Sequence, residues 1–153
     1  THNSGSPYKK ALTSLPAGSK VEMSWLDSSL SVTDSNEPLV CFASDVGISA
    51  MRPIVRQWAS KRPIMLSHLD KGVTVFDKEL SELANKTANI TYETNASLSQ
   101  SQEHVAQAIN KYGNRAQYLL AGQPDDVKAM KKLLTDKGID SKNVKSSTFR
   151  GLK

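Results

Sequence analysis

The sequence predicts an open α/β fold, a five-stranded parallel sheet with helices on both faces, preceded by a short β segment. Three observations predict it. Two apolar runs, Leu39-Val40-Cys41-Phe42-Ala43 and Tyr118-Leu119-Leu120-Ala121, are short and uninterrupted, as strands buried on both faces are. Each breaks at once into a glycine-bearing turn, Ser44-Asp45-Val46-Gly47 and Gly122-Gln123-Pro124, followed by a helical pattern. Around them, strand-length runs alternate with stretches of helical period, the mark of βα units whose parallel strands need crossovers. The carboxyl ends of such strands are where open α/β sheets bind ligands, and each turn points a helix N-terminus there. Together the two turns predict a nucleotide pocket.

Taken in order, residues 1–38 read differently from the rest. Val21-Glu22-Met23-Ser24-Trp25 alternates like a half-buried strand, with Leu30-Ser31-Val32 as its partner. Pro16-Ala17-Gly18-Ser19 is a turn cluster, and Thr33–Pro38 is a polar connection. From Leu39 the βαβ pattern begins. Strand 39–44 precedes a helix over 50–60 with Met51, Ile54, Val55 and Trp58 on one face. Strand 63–67 follows, with Pro63 tolerated at its first position. A helix over 77–86 turns Phe76, Leu80, Leu83 and Ala84 inward. Strand 89–94 leads through a polar loop to helix 101–112, with Val105, Ala108, Ile109 and Tyr112 inward. Strand 116–121 feeds helix 125–137, which packs Val127, Met130, Leu133 and Leu134 and ends at Gly138. A last strand over 144–149 closes the sheet. The domains expected are 1–38, the β segment, and 39–153, the α/β domain.

Composition bounds the function. A chain of 153 residues holds one domain, or one domain and a fragment of another. It starts at Thr1 without an initiator methionine or a signal-peptide core, so a processed chain or an excised domain is expected. No apolar stretch approaches the about 20 residues of a membrane helix, and a cytoplasmic place is expected, on the face of a membrane-bound parent or free of it. The formal charge of +5 includes a lysine-rich C-terminal end, but only Phe149 and Arg150 interleave with those lysines. They read as a solvated helix face, with no nucleic-acid partner; attracting an anionic dinucleotide is a gentler use of the same charge. The lone Cys41 lies inside an apolar strand and reads as a packing thiol. His68, Asp70 and the distant His104 do not have the spacing of a metal site, and no metal is expected. Asp125-Asp126 open a helix, where carboxylates complement the dipole. Three sequons, at Asn85, Asn89 and Asn95, read as coincidence. Trp25 and Trp58 read as packing residues.

The colinear order of several segments resembles the C-terminal half of the ferredoxin–NADP reductase family. Ala43-Ser44-Asp45-Val46-Gly47-Ile48-Ser49-Ala50-Met51 is similar to its A-G-G-x-G-I-[TS]-P-[MF] turn, and Val75–Leu80 to its F-x-x-E-L helix start. Tyr118–Pro124 resembles Y-x-C-G-P-P, and Lys132–Ile139 with Phe149-Arg150-Gly151 resembles L-x-x-x-G-[VI] and F-x-G. Upstream, Ser6–Leu12 and Pro16–Val21 resemble the tail of the family's flavin barrel.

The resemblance implies a division of labour in which an N-terminal barrel holds FAD or FMN and this α/β domain offers NAD(P)H for hydride transfer to the flavin. It implies that Gly47, Ile48 and Ser49 face the pyrophosphate and nicotinamide. Ala121, Gly122, Gln123 and Pro124 would line the opposite wall. Ser67 joins these contacts, and Ser6 stands where the family has a hydroxyl on the flavin pyrophosphate. No residue of this chain is expected to be catalytic, and the chain is not expected to be active alone; the implied partner is a flavin module or an electron-transfer protein. Departures are visible too. Both glycines after Ala43 are replaced, by Ser44 and Asp45, and a relative's 2′-phosphate arginine aligns near Leu69, with Asp70 and Lys71 beside it. The alternative is a degenerate domain that keeps the fold, no longer binds a dinucleotide and acts as an interaction or regulatory module.

Overall fold

Five parallel strands form one sheet: β1 (Leu39–Ser44), β2 (Ile64–Leu69), β3 (Ile90–Asn95), β4 (Gln117–Gly122) and β5 (Val144–Thr148). Their spatial order is β3-β2-β1-β4-β5. The computed structural model describes residues 5–22, 29–72 and 75–149. It divides into two compact units, Ser29–Gly151 and a smaller one, Thr1–Ser28 with Leu152–Lys153.

In the larger unit the central strands β1, β2 and β4 are buried at every position, which is why their sequences are apolar without alternation. Register is set by Leu39, which lies between Ile64 and Gln117. The crossovers are α2 (Ile48–Trp58), α3 (Asp77–Lys86), α4 (Leu98–Tyr112) and α5 (Pro124–Asp136), after α1 (Pro7–Ser14) of the smaller unit. Ile48, Met51, Val55 and Trp58 of α2 and Leu80 of α3 pack with Leu39, Cys41 and Leu66 on one face. Val105, Ala108 and Ile109 of α4 and Val127, Met130 and Leu134 of α5 pack with Val40, Phe42 and Leu120 on the other. Burial pushes the Cys41 thiol up to about 12. At Gly138, φ is +77°, and Ile139 N–H reaches back to the Leu134 carbonyl at 3.0 Å, closing α5 as glycine permits.

Several expectations are corrected. Phe76 is 36% exposed, not inward, because it sits in the left-handed region (φ +66°) ahead of α3 with its ring under the Arg52 guanidinium at 4.8 Å. Pro7–Ser14, within the stretch expected as a β segment, is a helix. Ser6 accepts from Lys9 N–H at 3.3 Å and Pro7 starts α1, the two residues that favour a helix start. Val21 and Glu22 carry no regular structure, and Met23–Trp25 lie outside the described residues. Leu30–Val32 is no strand: Leu30 is buried in the α/β core and Val32 packs against it. The compact α/β unit thus takes in residues from Ser29 onward. Arg62 fixes this segment, donating to the Thr33 carbonyl at 2.8 Å with its guanidinium 4.3 Å above the Trp58 ring. The Gln117 side chain adds a bond from Thr33 N–H at 3.2 Å.

Candidate functional site

The chain reverses its direction of growth between β1 and β4, so their carboxyl ends flank the crevice where open α/β sheets take ligands. After β1, Ser44 leads into Asp45, held at φ +52°, then a 3₁₀ turn (Asp45–Gly47) and α2. After β4, Gly122 at φ +141° leads through Gln123 into α5, with Pro124 at its first position. Neither α2 nor α5 has a side-chain cap, whereas α4 is capped by Ser97. At the start of α2 the Ile48 N–H is taken by the Asp45 and Val46 carbonyls of the 3₁₀ turn, and the first turn of α5 carries Asp125 and Asp126, so both helix starts are partly satisfied from within the chain.

The two glycines are required by each other's turns. A Cβ on Gly47 would stand 2.2 Å from the Ala121 carbonyl oxygen, and one on Gly122 would stand 2.4 Å from the Ser44 carbonyl oxygen. Backbone meets backbone here, so the β1 and β4 turns close on one another with no room for a side chain. Their first role is to bring the two walls together.

Polar side chains then fill the crevice. Ser44, wholly buried, gives its hydroxyl to the Asp126 carboxylate in the first turn of α5. Lys71, just past β2, places Nζ 2.7 Å from the same Asp126 oxygen. Gln123 Nε2 donates to Asp45 Oδ2 at 3.1 Å. On the other face of the sheet, His68 is buried with Nε2 3.4 Å from the Asp45 carbonyl and Nδ1 3.4 Å from Tyr92 Oη. Tyr92 donates to Asp77 Oδ1 at 2.9 Å, and Thr94 to the same oxygen at 3.0 Å. Burial holds His68 below the ordinary imidazole range, opposed by the Asp45 carbonyl and by the charges of Asp70, Asp77 and Asp45. The same burial raises the Tyr92 phenol to about 12.

The expected contacts fall into three groups. Ser49, Gln123 and Pro124 keep surface at the strand ends. Gly47, Ile48, Ala121 and Gly122 are buried, Ile48 with its side chain in the core, so what they present to a ligand is backbone at most. Ser67 is wholly buried and its hydroxyl accepts from Asn95 Nδ2 at 3.0 Å, which leaves it no surface for a ligand. The same bond takes up the side chain of one sequon asparagine. Ser6 caps α1 in the smaller unit. His68 and His104 face opposite sides of the sheet; His104 lies on α4, 3.2 Å from Glu93 Oε1.

The sequence pattern gives Asp126 a role at the helix dipole, and the structure shows that it also turns inward. A signal for this is present: Asp126 stands four and eight residues ahead of the core residues Met130 and Leu134, on their face of α5. That Lys71 reaches it from the far side of β1 has no local signal.

No family model and no curated protein matches the sequence. Solved structures do. The chain is similar to the CS–b5R domains of human Ncb5or in the NAD+ form, at 16% identity and TM-score 0.62, covering 91% of this chain and 45% of that one. It is similar to the flavohem-like FAD/NAD-binding domain of nitric oxide dioxygenase from Vibrio cholerae, at 14% identity and TM-score 0.59, covering 78% and 54%. It is also similar to the siderophore interacting protein of Acinetobacter baumannii, at 16% identity and TM-score 0.54, covering 99% and 62%. The chain spans 45% to 62% of the length of these three proteins. At such identities the likeness is one of fold. The larger unit has the fold of a ferredoxin reductase-like NAD(P)-binding domain, shared with structures of oxidoreductases. Among the described residues, no helix is long and apolar enough to cross a membrane.

Proposed function

We propose that the larger unit is the pyridine-nucleotide domain of a flavin-dependent NAD(P)H oxidoreductase, offering the nicotinamide to a flavin held by another module. One observation carries this reading: the β1 and β4 turns, each leading into a helix, meet at the switch point of a sheet whose fold recurs in the CS–b5R domains solved in the NAD+ form. In this reading a dinucleotide's diphosphate would meet the start of α2 and the exposed Ser49. Gln123 and Pro124 form the opposing wall. When bound, the nucleotide supplies the hydride; these residues bind and orient it. A flavin module, or an electron-transfer protein carrying one, is the partner, and FAD or FMN belongs to it. NADH is favoured over NADPH, because Leu69 and Asp70 stand where relatives place a 2′-phosphate arginine.

A second reading has its own observation. Asp126 and Asp45 bring two carboxylates into the crevice, and Asp45 Oδ1 is buried with no partner among the described residues. Fixed negative charge opposes a diphosphate, as it would in a degenerate domain that serves as an interaction or regulatory module. Calorimetric titration with NADH and NADPH separates the two. Binding in the micromolar to sub-millimolar range, tighter for NADH and strengthened by Asp45→Gly, is the expected result. Absence of heat and of thermal stabilisation at millimolar concentrations of both nucleotides would favour the degenerate domain.

A further inference from the structure

Lys71 and Asp126 come from opposite sides of the switch point. Lys71 follows β2, Asp126 follows β4, and β1 lies between those two strands. Their 2.7 Å ion pair therefore passes over the end of β1, where Ser44 bonds to the same carboxylate oxygen. The two ends of this bridge are unequal. The Asp126 side chain is 9% exposed and the Lys71 side chain 45%. The carboxylate is fixed by Ser44 and by its place on α5, while the ammonium arrives from solvent on a flexible stem. A pair with one half-exposed partner is weak and salt-screened, so another anion entering the crevice can compete for the lysine. If the lysine leaves, Asp126 still keeps the Ser44 hydroxyl and the N-terminus of α5.

We infer that the Lys71–Asp126 pair is a displaceable strap across the crevice. Lys71 is the cation that meets the diphosphate of an incoming nucleotide, and Asp126 is the internal anion that holds it back until then. The inference rests on the nucleotide reading proposed above and adds to it a residue that binds and a residue that restrains.

The test is calorimetry with NADH and with inorganic pyrophosphate on the full chain and on Lys71→Met, Asp126→Asn and the double variant. Lys71→Met should weaken both ligands, and Asp126→Asn should tighten both, each by roughly two- to fivefold, the range such a pair supports. In the double variant the gain should vanish, because Asp126 acts through Lys71. A gain that persists there would mean plain repulsion by the carboxylate and would overturn the strap. So would an unchanged affinity in Lys71→Met, a surface change that the fold tolerates even if Asp126→Asn does not fold. If NADH binds the chain and Lys71→Met alike, the strap fails and the nucleotide reading stands. If no form binds NADH, the nucleotide reading fails; pyrophosphate affinity equal in all forms then removes the strap as well.

Discussion

The sheet has a buried charge at each end, and the two are held in opposite ways. At the amino end of β2, Arg62 is 1% exposed, roofed by Trp58 and bonded to the Thr33 carbonyl and, at 3.3 Å, to Ser35. Its partners are backbone and packed side chains, and Glu37 and Asp34 add charge from farther off. At the carboxyl end, Asp126 is 6% exposed and shares one oxygen between a serine and a lysine that reaches in from the surface. The first arrangement is closed to solvent, with Arg62 Nε and Nη1 buried and without a hydrogen-bond partner among the described residues. The second is open to any anion that enters the crevice. The buried charge at the closed end of this sheet therefore reads as an anchor, and the one at the open end, in the proposed nucleotide reading, as part of a site.

The comparison breaks first at Arg62. Arg62→Met keeps the stem but loses the guanidinium's stacking and its bond to Thr33. It should cost about 3 kcal/mol, from a charged hydrogen bond and a desolvated cation–π contact. Urea denaturation measures it, and a loss near zero would make Arg62 no anchor. Next come the glycines that join the crevice walls. Gly47→Ala would set a methyl group 2.2 Å from the Ala121 carbonyl oxygen, backbone that cannot swing aside, so the cost should reach about 3 kcal/mol, the upper end of overpacking. The loss should appear in stability without any ligand, so weaker nucleotide binding by this variant would follow from displaced walls. Asp126→Asn should cost the least of the three, on the order of 1 kcal/mol or below, because the amide still accepts from Ser44 and Lys71 returns to water. A loss as large as that at Arg62 would make the two ends alike.

Most of the sheet is legible in the chain's own pattern. The apolar runs at Leu39–Ala43 and Tyr118–Ala121 are unbroken because each strand has helices on both faces, and that pattern gives strand type and parallel sense together. Residues 1–38 mislead for a physical reason. Alternation at Leu30-Ser31-Val32 imitates a strand, but what places Leu30 is its own burial in the α/β core, beside a loop whose Thr33 is tied to Arg62 and Gln117, residues far along the chain. The crevice is legible as a place and not as a chemistry. Its turns are local sequence features, whereas the Ser44–Asp126 and Lys71–Asp126 contacts join three segments distant in sequence.

The finest contrast between the two ends is in pH. His68, next to the crevice, and His104, on α4, both lie below the ordinary imidazole range because burial disfavours the charged ring. Nearby carboxylates oppose the shift: Asp70, Asp77 and Asp45 for His68, after the Asp45 carbonyl, and Glu93 for His104. Each ring is neutral in the fold and titrates near 6.5 in the unfolded chain. The unfolded state then binds more protons at mildly acid pH. Stability should be full above about pH 6.5 and fall as pH drops from there through the folded values, by at most about 1.4 kcal/mol per pH unit for each ring. His68→Asn, which keeps a polar atom toward Tyr92, should flatten this limb and leave the effect of Arg62→Met unchanged across it. Chemical denaturation at stepped pH between the imidazole and carboxylate ranges reads the slope directly. An equally steep limb in His68→Asn would assign the whole slope to His104 and leave the carboxyl end without a histidine that senses pH.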